Sequence, residues 1–163
     1  MKRHASLSLV LAFGAVACSG APELLDEDSL DRNAQAASAQ GSGAYAQIAS
    51  FGQNPGALNF YLYTPSGLDA TQGAPVVFVL HGCTQQASDA RNFGWEKIAD
   101  AQRFYVAYPE QPSANNPVKC FNWAGEYGDT ANLTRGQGEN QSIASMVEHM
   151  KTTYKVDPRR VYI

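Results

Sequence analysis

The organised part of the chain opens with two short β-like stretches, at 44–51 and 57–63, separated by Gly52-Gln53-Asn54-Pro55-Gly56. Turn residues between two such runs predict a hairpin. Asn59, Tyr61 and Tyr63 alternate with Phe60 and Leu62, the period of a sheet with one face covered. Residues 75–80 are different: Pro-Val-Val-Phe-Val-Leu is apolar without alternation, as in a central strand buried on both faces. A second buried strand is predicted at 104–108, stopped by Pro109. Between these two, Ser88 and Asp89 are candidate N-caps for a helix running to about Gln102. Its inward residues would be Phe93, Ile98 and Ala101, with Trp95 near one edge. The clearest helix covers 138–154, where Ile143, Met146, Val147, Met150 and Tyr154 fall on one stripe. Asp157-Pro158 breaks it, and Arg160 begins a fifth strand. The intervening segment 110–136 is rich in Asn, Pro and Gly and longer than an ordinary connection, which marks a functional or unstructured loop. A buried strand at the end of the sequence predicts that the domain continues beyond Ile163.

The N-terminal pattern is of another kind. Met1-Lys2-Arg3-His4 is a basic start, and residues 5–17 carry no charge. A bilayer span needs about 20 residues, so this stretch suits the apolar core of a signal peptide. Ala15-Val16-Ala17-Cys18-Ser19-Gly20 leaves two export readings open. One is ordinary cleavage after small residues. The other is a bacterial lipoprotein with Cys18 as the lipidated N-terminus, although Ala15 stands where such signals usually carry Leu. A buried hydrophobic helix is the third reading. Residues 18–43 read as an acidic and Ala/Ser/Gly-rich linker that cannot bury enough surface to order itself. The acidic run at 23–28 lacks the ligand spacing and central Gly of a calcium loop.

Composition narrows the class. A length of 163 residues with 44% hydrophobic and 17% charged residues suits one globular domain, and excludes a disordered, collagenous or multi-span membrane chain. Twelve basic against 15 acidic residues give a net charge of -3, with no electrostatic footprint for nucleic acid. Loss of residues 1–17 removes Lys2 and Arg3 and takes the charge to -5. A membrane contact is expected only through a lipid anchor at Cys18.

Candidate chemistry follows the third strand. His81-Gly82-Cys83-Thr84-Gln85 comes directly after it, at the end where open α/β sheets place their ligands. Gly82 allows a sharp turn and exposes the next amide, which can stabilise an oxyanion. A plain strand-end turn around a hydrogen-bonded histidine has the same sequence, and these five residues alone do not separate the two.

Six motifs occur in one order: Val77-Phe-Val-Leu-His-Gly-Cys-Thr-Gln85, Trp95-Glu-Lys-Ile-Ala-Asp100, Tyr108-Pro-Glu-Gln111, Cys120-Phe-Asn-Trp123, Gly136-Gln-Gly-Glu139 and Val156-Asp-Pro-Arg-Arg-Val-Tyr162. Together they resemble the polyhydroxybutyrate depolymerase family of secreted serine esterases, to which feruloyl and acetylxylan esterases are related. The resemblance covers residues 44–163. It implies an α/β fold: the N-terminal half of an α/β-hydrolase sheet, about strands one to five, truncated before the nucleophile elbow. It implies hydrolysis of a carboxylic ester through an acyl-serine, without cofactor or metal. The substrate would be an ester, polymeric in some members: a polyhydroxyalkanoate or a plant cell-wall ester. The backbone N–H of Cys83 would be one oxyanion donor, with His81 and Gly82 shaping the turn. Thr84, Gln85, Asn122 and Trp123 are candidates for the pocket wall. No Ser stands in a Gly-x-Ser-x-Gly context, so the triad is expected after Ile163 and the 163-residue chain is expected to be inactive. The alternatives are a lipid-anchored, non-catalytic binding protein and a gene fragment without function.

Cys83 and Cys120 are the cysteines left after Cys18. In an exported protein they are a candidate disulfide, the alternative being two buried thiols; a metal pair lacks companion ligands. Trp123 and Tyr127 either offer aromatic surface to a substrate or pack the loop. His149 is expected partly exposed, and Glu139 is expected to offset the dipole at its helix N-terminus. Asn132-Leu133-Thr134 matches a glycosylation sequon, read as chance in a bacterial export context. The expected location is extracellular or lipid-anchored at the cell envelope.

Overall fold

A computed structural model describes residues 40–122 and 130–163. The signal segment, Cys18, most of the linker, and Trp123 and Tyr127 lie outside the described residues. Five strands form one sheet: β1 (Ala44–Gln47), β2 (Asn59–Thr64), β3 (Ala74–Phe78), β4 (Tyr105–Glu110) and β5 (Val156–Tyr162), in the order β1-β2-β4-β3-β5. The pairs β1–β2 and β2–β4 are antiparallel, and β4–β3 and β3–β5 are parallel. The hairpin at the start of the domain and the two buried strands therefore match the sequence expectation.

Alternation along the strands builds two cores. Phe60, Leu62, Val76, Phe78, Tyr105 and Ala107 face helix α3 (Gly138–Thr153), which buries Met146 and Met150 against them. Tyr63, Val79, Val106 and Tyr108 face the other way, against α1 (Ala87–Ala90) and α2 (Trp95–Gln102). The second face of β2 is thus covered too, contrary to the one-face pattern read from its tyrosines. Tyr63 is fully buried, and its hydroxyl donates to Asp100 Oδ1 at 2.5 Å. Burial pushes that hydroxyl up to about 12. Residues 41–43, assigned by composition to the linker, are tied down at this point. Gly41 N–H donates to Glu96 Oε2, Ser42 N–H to Asp100 Oδ2, and Gly43 N–H to the Tyr63 hydroxyl.

Several boundaries differ from the sequence pattern. The helix expected from Ser88 to Gln102 is three pieces. α1 has Gln86 as its N-cap, with the Asp89 carboxylate accepting from the Gln86 N–H. A 3₁₀ turn (Arg91–Phe93) follows, and Gly94 adopts a left-handed conformation before α2 begins. That break resets the helical phase. Phe93 and Ile98 are therefore about half exposed, at 50% and 49%, and Ala101 is exposed, while Glu96 and Ala99 are buried instead. β4 also runs through Pro109. The Ala107 carbonyl accepts from Val79 on the β3 side. The Pro109 nitrogen, two residues on, faces that same side past the end of β3, where no ladder donor is required. β5 starts at Val156 rather than Arg160, passing Pro158 at a register irregularity against β3. β1 is shorter than expected and ends at Gln47.

Candidate active site

The turn after β3 is held at both ends by β4. His81 is buried, and its Nε2 accepts the Gln111 N–H at 3.0 Å. A backbone N–H can only donate, so the imidazole is the tautomer protonated at Nδ1, which faces the Gly82 carbonyl at 2.8 Å. At the other end, the Ala87 N–H donates to Glu110 Oε2 at 2.9 Å. Adjacent residues of β4 and its exit, Glu110 and Gln111, thereby clamp the segment 81–87. Glu110 is a site residue that pattern reading missed, since a charge at a strand end reads as solvent-facing.

Inside the turn the Gly82 N–H donates to Gln85 Oε1 at 2.8 Å, and the Thr84 hydroxyl to the Cys83 carbonyl at 2.6 Å. Thr84 has φ +65°, a left-handed conformation that is an outlier for a β-branched residue and is typical of strain held at functional sites. Its N–H donates to the Val118 carbonyl at 2.6 Å. The result is an exposed Cys83 whose own N–H has no acceptor among the described residues. Of the candidates for the pocket wall, Thr84 uses its hydroxyl and Gln85 its Oε1 on the turn itself.

The turn is cross-linked to the segment 111–122. Cys83 and Cys120 form a disulfide. The Asn116 side chain brackets Cys120, accepting from its N–H and donating to its carbonyl. Phe121 lies against His81, ring centroids 5.0 Å apart. Asn122 is buried, its N–H donating to Glu139 Oε2 at 2.7 Å. It lines a polar cavity of about 180 Å³ with Gly56, Asn115, Asn132 and Glu139. Glu139 itself does more than offset a helix dipole. Its Oε1 accepts from the fully buried Gln111 side chain at 2.5 Å. Asn132, the residue of the sequon, is buried and accepts the Glu139 N–H at 2.7 Å.

His149 is half-buried on α3, edge-on to Phe60 and Tyr154, and burial lowers its pKa from the ordinary value. It lies apart from the turn, on the core face of the sheet. Among the described residues no group of three or more His, Cys, Asp or Glu side chains is placed to hold a metal ion. Among them, too, no helix is long and apolar enough to cross a membrane.

A mixed sheet in the order 1-2-4-3-5, with helices on both faces and a clamped turn presenting an amide at the end of its third strand, defines an α/β-hydrolase-type architecture. The esterase PHB depolymerase family model matches residues 58–163, and the chain belongs to that family. It is 48% identical over 120 residues to poly(3-hydroxyalkanoate) depolymerase C of Paucimonas lemoignei, covering 74% of this chain and 28% of that protein. It is 32% identical over 124 residues to a probable acetylxylan esterase A of Aspergillus clavatus, covering 75% of this chain and 37% of that one. The acetyl xylan esterase structure from Aspergillus awamori superposes with a TM-score of 0.61 at 28% identity, over 73% of this chain and 41% of that chain. The chain thus spans between about a quarter and two fifths of the length of these relatives.

Proposed function

We propose that this chain is the N-terminal part of an exported carboxylic-ester hydrolase that works through an acyl-serine intermediate. The observation that carries the reading is the amide of the exposed residue Cys83, without an acceptor among the described residues, after β3 in a turn held by a left-handed Thr84. An amide so placed can receive the negative charge that develops on an ester carbonyl oxygen during acyl transfer. Deletion of one such donor typically costs about 3–4 kcal/mol in the transition state. Family membership supplies the rest of the reading: a nucleophile at the turn after β5, and a His and an Asp further on. The 163 residues contain no Gly-x-Ser-x-Gly, so this polypeptide by itself is proposed to be inactive. The relatives named above act, by their names, on poly(3-hydroxyalkanoate) and acetylxylan, and an ester of one of these two classes is the proposed substrate. Export rests on residues 1–17, with lipidation at Cys18 as the proposed anchor.

Protein expressed from the complete reading frame is assayed on p-nitrophenyl acetate, butyrate and hydroxybutyrate oligomers, and labelled with a fluorophosphonate. Turnover that disappears as one serine is labelled is the expected result. Turnover without serine labelling would reject the acyl-serine mechanism. Turnover and serine labelling by the isolated 163 residues would reject the proposed inactivity.

A further inference from the structure

The turn that presents the Cys83 amide rests on a buried polar relay that begins 56 residues away in sequence. Glu139 is the second residue of α3 and is buried. Its two oxygens accept from different segments: Oε1 from Gln111 Nε2 at 2.5 Å, Oε2 from the Asn122 N–H at 2.7 Å. From Gln111 two routes reach the turn. One is the backbone: Gln111 N–H to His81 Nε2 at 3.0 Å, two residues before Cys83. The other is the side chain: Gln111 Nε2 to the Cys120 carbonyl at 3.3 Å, with Cys120 joined to Cys83 by the disulfide. Asn115 Nδ2 donates to Gln111 Oε1, so the amide cannot flip without placing donor against donor.

We infer that Glu139 is a positioning residue for the Cys83 amide, acting through Gln111 on His81 and Cys120 rather than by touching substrate. A carboxylate is suited to this place because both its oxygens only accept. An amide at 139 would turn one of them into a donor facing Gln111 Nε2 or the Asn122 N–H. Gly56 packs closely against the start of α3 at this residue. A Cβ on Gly56 would meet the Glu139 backbone, 2.6 Å from its Cα. The inference rests on Cys83 being an oxyanion donor, but the wiring itself is testable without activity.

The test uses protein from the complete reading frame with ¹⁵N-labelled histidine, glutamine and methionine. Glu139→Gln is expected to speed hydrogen exchange of the Gln111 N–H at least tenfold relative to that of Met150, deep in α3. It is also expected to shift the His81 Nε2 resonance, although His81 does not touch residue 139. If Glu139 only stabilises its helix, Met150 and Gln111 accelerate together and His81 does not move, which overturns the inference. Should Glu139→Gln fail to fold, Glu139→Asp keeps an accepting carboxylate at the start of α3 but shortens its reach to Gln111 Nε2, and the same loss of Gln111 protection and shift of His81 Nε2 are expected. A folded Asp variant with both unchanged also overturns it. In ester hydrolysis, Glu139→Gln is expected to lower kcat about tenfold or more with KM within twofold. A parent protein without turnover would sink the oxyanion reading, while the exchange and ¹⁵N measurements would still decide the wiring.

Discussion

Glu96 is the position where a substitution tests the fold most directly. Its side chain is fully buried on α2, where the apolar pattern placed Phe93, Ile98 and Ala101 inward. Oε1 accepts from Arg91 Nε at 2.6 Å and the Tyr108 hydroxyl at 3.4 Å. Oε2 accepts from Arg91 Nη2 at 3.1 Å and the Gly41 N–H at 3.0 Å. Arg91 also lies 4.0 Å over the Tyr45 ring. Removing one member of a buried ion pair typically costs about 3–5 kcal/mol, because the other charge is left without its partner. The Arg91 side chain keeps 19% exposure and its aromatic contact, so it recovers some solvation. The expected loss for Glu96→Ala is therefore about 2–4 kcal/mol. That is a large share of a typical margin of ~5–15 kcal/mol, and lowers Tm by roughly 5–15 °C. The matched control is Glu148→Ala, which breaks the exposed pair with Lys151. It should cost no more than about 0.5 kcal/mol. Thermal unfolding of the protein from its complete reading frame, followed by circular dichroism, compares the two. Equal shifts would refute the claim that Glu96 is a buried anchor, and would return the inward face of α2 to its apolar residues.

Three further outcomes are expected. Non-reducing peptide mass spectrometry of exported protein should find Cys83 and Cys120 linked, and the double Ala variant should lose about 4 kcal/mol from a closed loop of 37 residues; quantitative alkylation of both thiols without reduction would contradict this. His149 is held below its ordinary value by burial, so the unfolded chain takes up a proton first as pH falls. Its contribution to stability is therefore full above about 6.5 and declines as pH drops toward the lower folded value. His149→Gln should flatten that part of the stability–pH curve, and an unchanged curve would contradict the assignment. Gly56→Ala forces a shift of the α3 N-terminus, since its nearest clash is with the Glu139 backbone rather than with a flexible side chain. The expected cost is about 1–3 kcal/mol, read as a lowered Tm together with faster exchange of the Asn122 amide; parent-like values of both would show that the approach is looser than 2.6 Å.

The sheet was legible because its signal is apolar periodicity, which the packing uses directly. Val76 and Phe78 enter one core and Val79 the other, as expected of an uninterrupted run buried on both faces. Met146 and Met150 occupy the stripe that marked α3. The helix between β3 and β4 was not legible, because one left-handed Gly94 divides it and turns its apolar residues outward. Of the candidate site, the turn was visible as His81-Gly82-Cys83. The segments that hold it were not.

Those supports share one physical basis. Glu96 and Glu139 sit with opposite faces of the sheet, on α2 and α3, and each takes a backbone N–H from a segment outside any strand or helix: Gly41 for one, Asn122 for the other. Glu110 likewise accepts the N–H of Ala87, the first residue of α1, which has no acceptor within its own helix. Backbone donors that leave regular structure while partly buried need an acceptor, and a carboxylate offers two oxygens that accept several at once, in charge-assisted bonds. A hydrophobicity pattern reads each of these residues as a solvated charge. In this fold they are where the irregular connections are fastened, and one of the fastened connections carries the Cys83 amide. The precision of the candidate site therefore depends on acids that fasten its surroundings: Glu110 holds one end of the clamped segment through Ala87, and a substitution at the buried Glu139 is expected to reach the turn without touching it.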